Sequence, residues 1–158
     1  MEPVRRVVWI IPMLLVAISC EYGLTDNIGV SRERDGRLVA NVFSCAADET
    51  IQLNFLIDPD NIEDTGDETM LWRVRGRTTA PGLLRVVIGE TPSGFREDAP
   101  LTAKVRPSGT YTLSLRWDRL DQGIYFVASE VPSNGIVSGG EHLSASEFKE
   151  IGKESCDH

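Results

Sequence analysis

Six carboxylates crowd the eleven residues from 58 to 68, namely Asp58, Asp60, Glu63, Asp64, Asp67 and Glu68, with Pro59 and Gly66 among them. Oxygen clusters of this kind hold extracellular calcium, but the EF-hand order places a ligand where Ile62 stands and a glycine before Gly66. The segment is therefore expected to be a solvated acidic loop with at most a weak calcium site. Histidine offers little: His142 follows Gly139-Gly140-Glu141, and His158 ends the sequence. A Ser-His-Asp triad would have to use His142, and no Gly-x-Ser-x-Gly elbow marks a serine for it. Two hydrolytic carboxylates on separate strands would leave no motif. Phosphate-binding glycine patterns and zinc spacings are missing from the sequence. No catalytic residue, metal or cofactor is expected.

Cysteine is the other reactive type, at positions 20, 45 and 156. An odd number in an exported protein leaves one thiol to be explained, either as a free thiol, as a modified one, or through a choice among three pairings. The start of the chain bears on that choice. Arg5 and Arg6 precede an uncharged apolar run over 7–18, which is the charged and hydrophobic pattern of a secretory signal. The run is too short for a transmembrane helix, which needs roughly 20 apolar residues. Ala17-x-Ser19 meets the small-residue rule for cleavage. Leu15-Val16-Ala17-Ile18-Ser19-Cys20 also resembles the lipobox of bacterial lipoproteins, with Ala17 in place of the preferred leucine. That resemblance implies a lipid on Cys20. With Cys20 acylated, parity pairs Cys45 with Cys156 as a structural disulfide; the alternatives are a Cys20 bond to either, or a free thiol. The pair lacks the Cys-x-x-Cys spacing of a redox or metal site.

Removal of residues 1–19 takes away Glu2, Arg5 and Arg6 and leaves 23 acidic against 14 basic residues, a net charge of −9. A negative surface repels phosphate backbones and anionic headgroups, so nucleic acid is not an expected partner and membrane attachment is expected from lipid alone. The expected organisation is a signal at 1–19, a lipidated tether at 20–26 and one domain at 27–158.

That domain reads as short alternating runs divided by turn residues, the pattern of an all-β fold. In 110–118, Tyr111, Leu113, Leu115 and Trp117 alternate with Thr110, Thr112, Ser114 and Arg116, so one face is core and the other wet. Segment 51–57 repeats the pattern, as does 70–75, with Met70, Trp72 and Val74 on one face and Leu71, Arg73 and Arg75 on the other. Further strands are expected at 28–31, 38–43, 83–88, 101–105 and 124–130, with a hairpin at Asp35-Gly36. Only 144–151 reads as a helix, with Ser144 or Ser146 as N-cap and Glu147 completing a capping box on Ser144. The expected fold is a single antiparallel β-sandwich with one short C-terminal helix. Asp121-x-Gly123-x-Tyr125 resembles the tyrosine corner of immunoglobulin-like Greek keys, which implies that Tyr125 starts a strand in the opposite sheet. A simple hairpin through 118–123 is the alternative.

The lipobox, Leu71-Trp72-Arg73-Val74, the run from Gly89 to Phe95 and the cysteine near the end together resemble small exported proteins of actinobacteria. The resemblance implies a β-rich lipoprotein and transfers no functional residue. The leading expectation is a binding or accessory module on the outer face of a cell membrane, with an envelope protein or glycan as partner. An exported enzyme or small-ligand carrier with a pocket among the loops, a structural spacer, and a secreted soluble protein are the alternatives.

Overall fold

The computed structural model describes residues 27–57, 69–117 and 120–157. Ten strands among them form two antiparallel five-stranded sheets, followed by one helix: β1 (Ile28–Arg32), β2 (Leu38–Ser44), β3 (Thr50–Ile57), β4 (Thr69–Arg77), β5 (Gly82–Val87), β6 (Phe95–Ala99), β7 (Thr110–Trp117), β8 (Leu120–Val127), β9 (Ile136–Ser138), β10 (Glu141–Leu143) and α1 (Ala145–Cys156). The first sheet runs β10-β9-β1-β2-β5 and the second β6-β4-β3-β7-β8. Alternation explains the sandwich between them. Ile51, Leu53 and Phe55 of β3 lie opposite Trp117, Leu115 and Leu113 of β7, and all but the partly buried Trp117 are almost wholly out of water. Each fully buried aliphatic or aromatic side chain contributes roughly 1.5–3 kcal/mol. Phe55 and Tyr111 stack with ring centroids 4.9 Å apart.

One sheet thus holds β1-β2-β5 side by side and the other β4-β3-β7-β8, with β6 on the β4 edge and β9-β10 on the β1 edge. The corner, however, is not at Tyr125. Thr112 pairs with Tyr125 within the β7–β8 hairpin, so β8 stays in the same sheet and Tyr125 faces water. Tyr111 fills the role instead. It is the second residue of β7, is fully buried, and its hydroxyl oxygen accepts the Arg106 backbone N–H at 2.7 Å. Gly109 makes room for it, since a Cβ there would lie 2.6 Å from the Tyr111 oxygen. Tyr111→Phe is expected to lower stability by about 1–2 kcal/mol, because a buried donor–acceptor pair is lost. Urea denaturation measures this, with Tyr125→Phe unchanged as the control.

Two other expectations are corrected. Segment 101–105 is not a strand: Pro100 ends β6, and Leu101 and Val105 reach the core from a loop in which Leu101 packs over Gly89. In β4 the pairing shifts, Phe55 opposite Trp72 but Leu56 opposite Met70, so Leu71 is an extra bulged residue. The bulge turns Leu71 into the core and sends Met70 to the outer face.

Helix α1 begins with the expected capping box: Glu147 N–H donates to Ser144 Oγ at 3.2 Å and Ser144 N–H to Glu147 Oε2 at 2.7 Å. Hydrogen bonds from Ser144, side chain then backbone, hold the Glu147 carboxyl below its ordinary range. The helix runs on to Cys156 because Phe148 and Gly152 form one stripe against the first sheet. Phe148 is buried with Phe43 and Ile136, and a Cβ on Gly152 would overlap the Phe43 ring. Gly152 sets a close approach and does not end the helix.

Candidate functional site

The outer face of the second sheet carries three rows of side chains across its strands. The first is Met70, Leu56, Thr112 and Tyr125; the second Arg73, Asn54, Ser114 and Gly123; the third Arg96, Arg75, Gln52, Arg116 and Asp121. Strand pleating places every second residue on this side, so Arg73-x-Arg75-x-Arg77 of β4 becomes a cationic stripe.

The middle row is held in place by hydrogen bonds. Asn54 Oδ1 accepts from Arg73 Nε at 2.8 Å and from Gln52 Nε2 at 2.9 Å, while its Nδ2 donates to Ser114 Oγ at 2.9 Å. Arg75 Nη2 donates to Gln52 Oε1 at 2.9 Å. Gln52 and Asn54 are thereby buried although they point outward. Tyr125 is the opposite case, at 70% exposure, and Gly123 two residues before it leaves the ring edge open.

Five arginines, at 73, 75, 77, 96 and 116, share this face with two carboxylates. Arg116 is paired with Asp121 at 2.8 Å, and Asp98 lies 2.8 Å from Arg96 and 3.3 Å from Arg75. The Arg96 hydrogen bond, then the charges of Arg96, Arg75 and Arg73, hold the Asp98 carboxyl below its ordinary range. Among the described residues, no carboxylate pairs with Arg73 or Arg77. A chain whose sum is acidic thus presents one cationic face. A shallow depression of about 380 Å³ joins the rows, with Leu56, Met70 and Tyr125 at one side and Arg73 and Arg116 at the other. This arrangement of guanidinium, amide and aromatic groups can bind.

A second cavity, of about 780 Å³, opens at one end of the sandwich beneath the 101–107 loop. Its walls are apolar, from Leu38, Ile88, Leu101 and Val105, and its rim is charged. The rim charges are engaged with one another: Arg37 is bound to Asp35 at 2.7 Å, to Glu33 at 2.8 Å, and to Glu90. Arg37, first through its backbone N–H, holds the Asp35 carboxyl below its ordinary range, which suits an ion pair and not a general acid.

Of the residues singled out from sequence, Cys45 and Cys156 are joined, with Cα atoms 5.4 Å apart. His142 is exposed on β10 opposite Val137, and neither cavity includes it. Cys20 lies outside the described residues, as do Asp58, Asp60, Glu63, Asp64, Asp67 and Glu68. The arginine stripe and Tyr125 were not expected as a site. Arginines at period two within one predicted strand were the available signal.

The fold and this face define an all-β sandwich with a cationic, aromatic-bearing sheet face. No family model, curated protein or solved structure matches the chain.

Proposed function

We propose that the protein is an exported, lipid-anchored module of the cell envelope that works by contact, through the outer face of its second sheet. The observation that carries this reading is Tyr125, the exposed large hydrophobic side chain among the described residues, standing beside a row of fixed polar groups. An aromatic ring left in water while its neighbours are ordered suits recognition of a partner. The anchor is the lipid on Cys20, and the signal over 1–19 supplies the route. The small-ligand carrier stays as a second reading, favoured by the apolar cavity under the 101–107 loop, whose volume falls in the range of ligand pockets.

A photo-crosslinking side chain at position 125, in the full chain expressed in its own cells, should capture an envelope component from the membrane fraction. The same group at His142 should capture none. Cys20→Ala should release the chain from that fraction. Equal capture from both positions would remove the sheet face from the account.

A further inference from the structure

We infer that the outer face of β4, β3, β7 and β8 binds an acidic saccharide chain, one carrying carboxylates on its sugar rings. The inference rests on the contact-module reading and names its ligand class. Charge complementarity selects an anion. Arg73, Arg75, Arg77, Arg96 and Arg116 outnumber Asp98 and Asp121 on this face, while the whole chain carries −8. Among the described residues, Arg73 hydrogen-bonds to Asn54 through Nε, which leaves its terminal nitrogens for a two-point bond to a carboxylate.

The other rows select a sugar over other anions. The Tyr125 ring offers an apolar plate for the C–H face of a pyranose, with Leu56 and Met70 beside it in the same depression. Asn54, Gln52 and Ser114 add amide and hydroxyl groups to the same depression, held in place by their mutual bonds so that little ordering is lost on binding ring hydroxyls. The three spacings between its four strands cover about 14 Å from β4 to β8, the reach of a short extended oligosaccharide. Duplex nucleic acid carries a charge every ~1.7 Å, and the rest of this acidic surface would repel so dense a polyanion.

The test is binding of the detergent-solubilised full chain to polygalacturonate, compared with its fully methyl-esterified form, duplex DNA and phosphatidylglycerol vesicles. The acid form should bind at least about tenfold tighter than the ester, since esterification removes the charge-assisted bonds and leaves the ring. Arg73→Gln and Arg75→Gln should each weaken binding about three- to tenfold, and Tyr125→Ala about fivefold, with Lys149→Gln on the helix unchanged. Arg75 is exposed, so its variant keeps the test open should Arg73→Gln fail to fold. Equal affinity for acid and ester, or tighter binding of DNA or vesicles, overturns the assignment. Binding that appears only after the six carboxylates of 58–68 are neutralised makes that segment of the chain the occupant, and also overturns it. If no saccharide binds while position 125 still crosslinks in cells, the ligand class falls and the contact module stands; if both are lost, both fall.

Discussion

Replacing Cys45 and Cys156 together by alanine is expected to lower the thermal midpoint by about 10–20 °C. The bond spans a sequence separation of 111 residues. In the chain-entropy account, closing a loop of that length restricts the unfolded chain by about 4–5 kcal/mol. The native side adds a specific consequence. Cys45 follows β2 directly and Cys156 is the last residue of α1, so the bond holds the helix end against the sheet that Phe43 and Gly152 already join. Calorimetry with and without reductant reads the effect, and the reduced natural chain should follow the double variant. Midpoints that agree within about 3 °C would mean that the bond constrains little.

Phe148→Ala is expected to cost about 3–5 kcal/mol, the range for emptying a buried phenylalanine site. Phe148 is fully buried, yet it does not belong to the core between the sheets: its partners are Phe43 and Ile136, with Leu83, Leu143 and Cys156 at the margin. The site therefore cannot be refilled from the main core. With the disulfide intact, helix amides should lose hydrogen-exchange protection while those of β3 and β7 keep most of theirs. The two fastenings act on one helix, so their effects should not add, and a double-mutant cycle should show coupling of at least about 0.5 kcal/mol. Additive losses, or equal loss of protection in β3, would mean that the helix is not a separate unit of stability.

Much of this architecture was legible because it depends on period. Residues 51–57 and 110–117 send every second side chain into the core between the sheets, and a two-residue repeat is visible in a single sequence. The capping box on Ser144 was legible for the same reason, since it is a contact between residues three apart. What the sequence hid depends on pairing between distant segments. The bulge at Leu71 is defined by the register of β4 on β3, and it moved Met70 out of the core and Leu71 into it. Val105-x-Pro107-x-Gly109-x-Tyr111 carried the corner, while Asp121-x-Gly123-x-Tyr125 had the more familiar spelling; only burial of one tyrosine and exposure of the other separates them.

The binding face was half visible. Arg73 and Arg75 were read as the wet side of a strand, which they are. Their company was not readable, because Asn54, Ser114, Arg96 and Tyr125 come from four other strands and meet them only through sheet order. Net charge misled in the same way. It sums over all faces, whereas a partner meets one.

The claim that contact occurs through this face is tested most directly by site-specific crosslinking in intact cells, with the probe placed in turn at 125, at 142 and at 104 on the mouth of the end cavity. The account predicts a captured envelope component from 125, abolished by Arg73→Gln with Arg75→Gln, and none from 142 or 104. Capture from 104 alone, or capture from 125 that survives loss of both arginines, would contradict it.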